Sequence, residues 1–385
     1  MEILRAAKET LQYLFGKFPI VSLTGPRQSG KTTLAKQTFP QLAYVNLEDW
    51  VLQEKIKQDP AAFLAQYPDG LIIDEAQYIP ELFHYIQVLS DERNIPGQYV
   101  LTGSQDFLLN ANITQSLAGR VGIIRLLPLT YREVKSVDDA ISVNDCLFQG
   151  GYPRLYKESI RPSDFFSGYL QTYVERDVRS LKNIDNLHLF QKFLLLCAGR
   201  VGQVLNVSSL SRDVGVTGGT IKSWLSVLEA SYVLYLLQPF ALNINKQMTK
   251  APKLYFYDTG LLCYLLNIQQ ADWVTQHYAY GSIFENFVLN EILKHQLSRG
   301  ERPNVYFLRD AFGHEVDAVL KNGNRKKLLE IKSSTAFTGD FVKNILYYKE
   351  DLDDGAVVYQ GDRTVTYKEV RIIPVKDFLK NFDLC

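Results

Sequence analysis

The sequence of 385 residues predicts an α/β protein whose N-terminal part is a doubly wound parallel sheet. Short apolar segments at residues 19–23, 42–47 and 70–74 alternate with stretches of helical periodicity. A glycine-rich turn follows the first segment, and two acidic residues end the third. Alternating strands and helices are typical of parallel sheets that helices cover on both faces. We therefore expect one such sheet within residues 1–130.

The turn after the first strand has the spacing of a phosphate-binding loop, G-x-x-x-x-G-K-[ST]. Glycines let backbone N–H groups point at phosphate oxygens without interference from a Cβ atom. Lys31 is expected to contact the β- and γ-phosphates of ATP, and the Thr32 hydroxyl to ligate Mg²⁺. The alternative is a glycine turn that binds nothing. The predicted nucleotide-binding residues are Gly25, Pro26, Arg27, Gln28, Ser29, Gly30, Lys31, Thr32, Thr33 and Asp74.

Two acids at the end of an apolar segment would complete the nucleotide site. Residues 71–73 are large and apolar, which predicts a buried parallel strand that carries Asp74 and Glu75 at its carboxyl end. Ligands of open α/β sheets bind at that end. Asp74 is expected to hold Mg²⁺, and Glu75 to act as general base on the attacking water. Alternatively, both acids only cap the next helix.

Three more residues are candidates for contacts to the γ-phosphate. A strand predicted near residues 98–102 ends in small polar residues, so Thr102 or Ser104 could hydrogen-bond the γ-phosphate or the water. Arg120 precedes a strand predicted at residues 121–127 and is expected near the strand ends. There it could act on a neighbouring subunit as an arginine finger, which would require a homo-oligomer. The alternatives are an ordinary turn and a surface arginine.

These motifs, together with several later ones, resemble a known family. GPRQSGKTTL, LIIDEAQ, LTGSQ and LAGR, followed by GGYP, YVERD, KLYFYDTGL, FEN and HEVD, look like segments of the prokaryotic AAA-superfamily ATPases with a C-terminal domain of unknown function. The resemblance spans nearly the whole chain. It implies an AAA-type core at residues 1–130 and a helical lid at residues 131–180. Arg154 or Arg176 could sense the nucleotide from this lid, with an internal ion pair as the alternative.

Residues 181–258 are predicted to form a winged helix-turn-helix domain. Eight lysines and arginines stand against three acids between residues 181 and 253. A short capped helix, a turn at 216–217 and a second helix at 220–230 have helix-turn-helix spacing, and the following apolar segments could pair as a wing. We expect DNA to be bound largely independently of its sequence; the alternative is domain packing or protein contacts. The residues expected to face DNA are Thr217, Thr220, Lys222 and Ser223.

Residues 259–385 are expected to form an α/β domain that resembles the restriction-endonuclease and junction-resolvase fold. A predicted hairpin carries Asp317 on one strand and Glu330 and Lys332 on the other, where alternation puts the last two on one face. The two carboxylates could chelate Mg²⁺ while Lys332 orients the water for metal-dependent cleavage. The resemblance implies Glu285 as a further acidic ligand. Alternatively, these charges stabilise the hairpin or serve binding only.

The overall composition restricts the setting of the protein. Lysine plus arginine and aspartate plus glutamate number 42 each, so no global charge favours nucleic acid. The four cysteines are scattered without a C-x-x-C motif, which favours reduced thiols. The first residues lack the apolar core of a signal peptide, and no apolar run is long enough for a membrane span. We expect a cytoplasmic protein without membrane contact.

Three functional hypotheses remain. The first is a Mg²⁺-dependent ATPase whose nucleotide state positions a DNA-binding C-terminal half. If Asp317, Glu330 and Lys332 form a nuclease site, this half also cleaves DNA. The second is an ATP-dependent switch that holds a protein partner or DNA without nuclease activity. The third, a DNA-binding transcription factor with a vestigial ATPase, is disfavoured by intact Lys31, Asp74 and Glu75.

Overall fold

The structure, a computed structural model, describes residues 3–104, 117–174, 186–240, 251–323 and 325–382. The chain divides into two compact units. Unit 1 comprises Met1–Leu129 with Gln296–Arg302, and unit 2 comprises Thr130–His295 with Pro303–Cys385.

Unit 1 is built on a parallel sheet. Its strands are β1 (Ile20–Thr24), β2 (Ala43–Asn46), β3 (Leu71–Asp74), β4 (Tyr99–Gly103) and β5 (Val121–Arg125). Its helices are α1 (Ala7–Phe15), α2 (Lys31–Thr38), α3 (Trp50–Gln58), α4 (Pro60–Ala65) and α5 (Leu82–Arg93), and a 3₁₀ turn spans Ala76–Tyr78. The five strands lie in the order β2-β3-β4-β1-β5, and all neighbours run parallel. The predicted parallel α/β core is confirmed.

Apolar clusters cover both faces of this sheet. Ile20 packs in one cluster with Phe83 of α5. Val21, the next residue of β1, packs in the other cluster with Leu11 of α1 and Leu34 of α2. Successive side chains of a strand point to opposite faces, so β1 is buried from both sides. This layering leaves the carboxyl ends of the strands to the loops that follow them.

The first part of unit 2 is mainly helical. Its helices are α6 (Tyr131–Lys135), α7 (Val143–Gln149), α8 (Pro153–Lys157), α9 (Pro162–Tyr169), α10 (Leu187–Ala198), α11 (Val207–Val214) and α12 (Gly218–Ala230). A π-helical turn, Leu170–Val174, follows α9. Residues 175–185, with the candidate lid sensor Arg176, lie outside the described residues.

Two of these helices occupy the positions predicted for the helix-turn-helix pair. Helix α11 ends at Gly215, whose φ of 94° is left-handed, and α12 begins after Thr217, whose hydroxyl accepts the N–H of Thr220. Strands β6 (Leu234–Leu237) and β7 (Lys253–Phe256) then pair antiparallel. Residues 241–250, which carry the predicted cations Lys246 and Lys250, lie outside the described residues, and the winged-helix assignment stays a prediction.

Unit 2 ends in a mixed sheet of six strands. The helices before it are α13 (Thr259–Leu265), α14 (Ala271–Val274) and α15 (Tyr280–Ser298). The strands are β8 (Val305–Arg309), β9 (Glu315–Asn322), β10 (Arg325–Lys332), β11 (Asp354–Tyr359), β12 (Val365–Tyr367) and β13 (Val370–Pro374), with a 3₁₀ turn at Gly339–Val342 and helices α16 (Lys343–Tyr348) and α17 (Val375–Lys380). The sheet order is β12-β13-β11-β10-β9-β8.

The strand directions in this sheet change at β10. Strands β8, β9 and β10 form an antiparallel meander, whereas β10, β11 and β13 run parallel. The predicted β9–β10 hairpin is therefore present inside a larger sheet, and its likeness to an endonuclease fold stays a prediction. Within the described parts of the chain, no helix combines the length and apolar character that a bilayer crossing requires.

Candidate functional site

The phosphate loop follows β1 and leads directly into α2. Gly25 has a φ of 145°, and a Cβ atom at this position would overlap the Leu126 carbonyl oxygen. Gly30, with a φ of 94°, precedes the first turn of α2. Both glycines are therefore required by backbone geometry. The loop thus has the close backbone turn that the sequence motif predicts.

The Lys31 ammonium lies inside this loop. Lys31 is only 5% exposed, and its Nζ donates to the carbonyl oxygens of Gly25 at 2.9 Å and Pro26 at 2.7 Å. The buried hydroxyl of Ser29 has no hydrogen-bond partner among the described residues. A buried donor without a partner is costly, so this hydroxyl suits a polar ligand in the loop.

The remaining predicted loop residues have different surroundings. Arg27 lies 3.8 Å from Glu48 in an ion pair, and Gln28 has a left-handed φ of 61°. Pro26 is buried, whereas Thr33 is exposed on the first turn of α2. The structure thus places the predicted residues 25–33 on one loop and helix start, with Lys31 and Ser29 buried.

Asp74 connects the phosphate loop to the end of β3. Its carboxylate is 6% exposed and accepts the Thr32 hydroxyl at 2.7 Å, the Tyr44 hydroxyl at 2.8 Å and the Thr102 hydroxyl. Burial, and after it the negative charge of Asp74, raises the pKa of Tyr44. The Tyr44 hydroxyl therefore keeps its proton and donates a hydrogen bond to Asp74. Hydroxyl and carboxylate oxygens are the hard ligands that Mg²⁺ prefers, so Thr32 and Asp74 fit a Mg²⁺ site.

Glu75 follows Asp74 in a left-handed conformation with a φ of 52°. Its carboxylate accepts the Ser104 N–H at 3.2 Å, the Ser104 hydroxyl at 3.0 Å and the Gln77 amide. The Glu75 N–H donates to the Thr102 hydroxyl at 3.4 Å. Thr102 and Ser104, predicted as phosphate contacts, thus hold the two acids in place.

The expected position of Arg120 near the carboxyl ends of the strands is wrong. Its carbonyl accepts the N–H of Ile20, and Val121 is the register partner of Ile20 at the start of β1. Arg120 therefore lies at the amino edge of a parallel sheet, roughly 13 Å along the strands from the phosphate loop. Its guanidinium forms an ion pair with Asp91, with Nη2 2.9 Å from Oδ2. The structure favours the surface-arginine alternative within one chain.

Tyr44 and Arg125 lie beside the site, although no sequence motif marks either residue. Arg125 ends β5 and is the register partner of Thr24, the residue before Gly25. Asn46, at the end of the strand that carries Tyr44, is the register partner of Asp74. Residues at the carboxyl ends of neighbouring parallel strands meet at one edge of a sheet, and this rule could have indicated Arg125. Tyr44 lies two residues before the end of β2, so the rule does not indicate it.

A second cluster of charges lies on the β9–β10 hairpin. Lys332 Nζ lies 3.5 Å from Asp317 and forms an ion pair with Glu330, and the Ile331 N–H donates to Asp317 at 2.8 Å. Burial, followed by the negative charge of Asp317, raises the pKa of Glu330 to about 8. The structure thus brings Asp317, Glu330 and Lys332 together as predicted.

Glu285, on α15, has cationic and hydroxyl partners of its own. It lies 3.1 Å from the buried Lys253 ammonium and accepts the Tyr255 hydroxyl. Burial and the charge of Asp317 raise its pKa to about 7. Within the described residues, no three Asp, Glu, His or Cys side chains are grouped to hold a metal ion. The predicted three-carboxylate arrangement of Glu285, Asp317 and Glu330 is therefore not formed.

The remaining candidates lie in unit 2. Arg154, a candidate lid sensor, pairs with Glu158 at 2.8 Å on the surface of α8, as its alternative predicts. The Thr217 and Thr220 hydroxyls lie 2.8 Å apart at the start of α12, where Thr217 caps the helix. Lys222 is exposed one turn further on, and Ser223 is half-buried. Two of the four predicted DNA-facing residues thus also serve the helix cap.

Three sequence families match consecutive parts of the chain. An AAA domain matches residues 17–135. A domain of unknown function (DUF8612) matches residues 141–272, and another (DUF4143) matches residues 280–378. The first match contains the phosphate loop, Asp74 and Glu75. The expected AAA-type ATPase with a C-terminal domain of unknown function is confirmed at this level.

Whole-chain comparisons give relatives in bacteria and a solved archaeal structure. The Walker-type ATPase PABY2304 of Pyrococcus abyssi is similar over 68% of this chain and 94% of its own, with 14% identity and a TM-score of 0.44. An uncharacterized protein of Haemophilus influenzae is 25% identical, with 93% of each chain covered. The uncharacterized protein Rv2008c of Mycobacterium tuberculosis is 31% identical over 366 aligned positions, which cover 93% of this chain and 80% of that protein. The chain therefore belongs to the same protein family as Rv2008c.

Proposed function

We propose that this protein is a Mg²⁺-dependent ATPase whose nucleotide state positions a DNA-binding second unit. The observation that supports the ATPase most directly is the contact between the two nucleotide motifs. The Thr32 hydroxyl lies 2.7 Å from Asp74, next to a loop whose interior holds the Lys31 ammonium. The reaction is the hydrolysis of ATP to ADP and phosphate.

Each residue has a separate task in this reaction. Lys31 would exchange its two carbonyl partners for oxygens of the β- and γ-phosphates, because an ammonium attracts an anionic oxygen more strongly than a neutral carbonyl oxygen. The first N–H groups of α2, which have no partner inside the helix, would bind the same phosphates. Thr32 and Asp74 would hold Mg²⁺, which neutralises charge on the phosphate oxygens when bound.

Glu75 is the general base in this proposal. Its carboxylate would accept a proton from the attacking water. The two hydrogen bonds from Ser104 fix where that carboxylate points, so Ser104 acts by positioning Glu75. Arg120 is far from the loop of its own chain, so a role as arginine finger would require a second copy of the chain.

The ATPase is tested by comparing wild type with Lys31→Ala and Glu75→Gln. Lys31→Ala is expected to lose ATP binding and hydrolysis together. Glu75→Gln is expected to keep ATP binding while hydrolysis falls by a factor of about 100 or more, because only proton transfer is removed. Undiminished hydrolysis in Lys31→Ala would show that the activity belongs to another site or protein.

DNA binding is supported by the helix pair α11–α12 and by the local excess of basic residues. Lys222 is exposed on α12, where it could contact a phosphate of the DNA backbone. Helix α12, which would be the recognition helix, contains no arginine or asparagine to read bases. Binding would therefore depend little on the DNA sequence. A switch that holds a protein partner remains the alternative, and a failure to bind DNA in either nucleotide state would favour it.

A nuclease activity is the second candidate, and the cluster at Asp317, Glu330 and Lys332 favours it. The test is incubation of supercoiled plasmid with the full chain and Mg²⁺ or Mn²⁺. Nicking that disappears in Asp317→Ala and persists in the matched variant Asp340→Ala, an exposed acid of the same unit, would support it. Absence of cleavage with both metals, with and without ATP, would favour a binding-only role for the cluster.

A further inference from the structure

The Arg5 side chain connects the phosphate loop to the segment that follows β5. Its Nη1 donates to the Ser29 carbonyl at 2.7 Å, and its Nη2 donates to the Leu127 carbonyl at 2.7 Å. Ser29 belongs to the phosphate loop, and Leu127 is the second residue after β5 ends. Arg5 itself lies outside every nucleotide-binding motif of the sequence.

Helix α1 holds Arg5 in this position. Ala7 and Leu11 of α1 are buried in one cluster with Leu34 of α2 and Ile124 of β5. The Arg5 carbonyl also accepts the N–H of Lys8 at the start of α1. Helix α1, which follows Arg5, is therefore packed against α2 and β5, the elements that lie next in the chain to the carbonyl partners Ser29 and Leu127.

The hydrogen bond to Ser29 also determines the direction of the next N–H group. The Ser29 carbonyl and the Gly30 N–H belong to one planar trans peptide, so they point in opposite directions. Because the carbonyl faces Arg5, the Gly30 N–H faces away from Arg5. Gly30 precedes the first turn of α2, where backbone N–H groups bind phosphate.

We propose that Arg5 is a positioning residue of the nucleotide site, which orients the Ser29–Gly30 peptide for the phosphates and links the loop to Leu127. The inference rests on the proposed ATPase function and extends it to a residue outside the phosphate-loop motif. Arg5 touches backbone carbonyls, so it acts through the loop and takes no part in proton transfer.

The experiment measures the affinity of the full chain for ATP and for tripolyphosphate, which lacks base and sugar. Arg5→Gln is expected to weaken both ligands by the same factor of about ten, because the change affects the phosphate contacts alone. Arg5→Lys, which can donate but cannot bridge two carbonyls as a planar fork, should lose less. Arg93→Gln is the matched control, because Arg93 also donates to a backbone carbonyl of unit 1, that of Pro68.

The possible outcomes separate this inference from the proposed function. A wild-type chain that binds no nucleotide overturns both. Wild-type affinity in Arg5→Gln, alongside lost affinity in Lys31→Ala, overturns the role of Arg5 alone. If Arg5→Gln does not fold, the measurement is made on Arg5→Lys. Wild-type affinity of that variant for both ATP and tripolyphosphate overturns the positioning role, and an equal loss of affinity for both ligands supports it. A loss for ATP with none for tripolyphosphate also overturns it, since Arg5 would then act on the base or sugar.

Discussion

At the scale of single residues, Asp74 depends on hydroxyl groups from three elements of unit 1. Thr32 of α2, Tyr44 of β2 and Thr102 of β4 all donate to its carboxylate. Thr32 and Tyr44 share the same oxygen, Oδ2. Burying a carboxylate is costly unless it is hydrogen-bonded. Tyr44 thus restrains Asp74 through the same oxygen that accepts the Thr32 hydroxyl.

This arrangement predicts that Tyr44→Phe impairs metal use more than nucleotide binding. The ring and its contact with the Lys36 ammonium, 3.2 Å from the ring centroid, would remain, while the hydrogen bond to Asp74 is lost. Partners of metal ligands typically contribute a factor of ten or more to metal affinity. The Mg²⁺ concentration for half-maximal ATPase activity should therefore rise about tenfold, with ATP affinity in the absence of Mg²⁺ unchanged.

Tyr99→Phe provides the control for this measurement. Tyr99 is a buried tyrosine of the same sheet whose hydroxyl has no hydrogen-bond partner among the described residues. Its removal should leave the Mg²⁺ requirement as in wild type. An equal Mg²⁺ requirement in Tyr44→Phe and wild type would show that Tyr44 does not position Asp74.

Residue positions in the nucleotide site were predictable where a motif fixes them. Lys31, Thr32 and Asp74 meet as expected, because a strand–loop–helix unit determines the local backbone. Arg120 was expected at the wrong edge of the sheet, because its neighbours in the sequence do not indicate the direction of β5. Since β5 runs parallel to β1, the residue before β5 lies at the amino edge of the sheet, away from the phosphate loop. Tyr44 has no motif at all, since its contact arises from the pairing of β2 with β3.

At the scale of elements, α15, β9 and β10 each carry one largely buried acid: Glu285, Asp317 and Glu330. Burial and the charge of Asp317 raise the pKa of Glu285 to about 7 and that of Glu330 to about 8, from ordinary values of 4.5. Lys332 and Lys253 lie against these acids and partly neutralise them. Folding therefore favours the protonated forms of Glu285 and Glu330 relative to the unfolded chain.

This proton uptake predicts a decline in stability as the pH rises. Between about pH 4.5 and pH 8 the folded chain binds more protons at Glu330 than the unfolded chain, so the free energy of unfolding falls across that interval. The contribution is fully present below the unfolded pKa and is lost as the pH passes through the folded one. Each unit of pKa difference corresponds to about 1.4 kcal/mol.

Glu330→Gln should flatten this dependence, because glutamine does not titrate. Its Tm is expected to fall less than the wild-type Tm between pH 5 and pH 9. The exposed variant Glu369→Gln, in the same unit, should follow wild type. Parallel Tm profiles for wild type and Glu330→Gln would contradict a raised pKa at Glu330.

Most elements could be predicted from sequence where periodicity and end signals agree. Thr217, Asn206 and Gly215 mark helix ends, and the apolar residues of α12 recur at helical spacing. No element was predicted beyond residue 348, although β11, β12, β13 and α17 lie there. The apolar run in β11 is short, and short apolar runs do not distinguish strand from helix. All three residues of β12 are exposed, so no burial pattern reveals it.

At the scale of the whole molecule, the charges are balanced overall but unevenly distributed along the chain. Net charge is zero, whereas residues 181–253 carry eight basic and three acidic residues. The AAA domain lies at residues 17–135, so the nucleotide motifs and the basic region belong to different parts of the sequence. Any effect of ATP on DNA binding must therefore be a coupling between two separate sites.

Such a coupling is reciprocal, which makes the proposed function testable from both sides. If ATP changes the affinity for DNA by some factor, DNA must change the affinity for ATP by the same factor. We expect a factor of about ten, measured with Glu75→Gln so that ATP is not consumed. Binding of fluorescent duplexes of two unrelated sequences, with ATP and with ADP, gives one side, and ATP titration with and without duplex gives the other.

Lys222→Ala identifies the contribution of α12 to this coupling. Loss of one phosphate contact should weaken binding equally for both duplexes and reduce the slope of log affinity against log salt by about one. The coupling factor between ATP and DNA should remain, because Lys222 belongs to none of the nucleotide-binding motifs. Equal DNA affinity with ATP and with ADP would mean that the nucleotide does not control DNA binding. A switch that holds a protein partner would then explain better why one chain carries both the nucleotide motifs and the basic region.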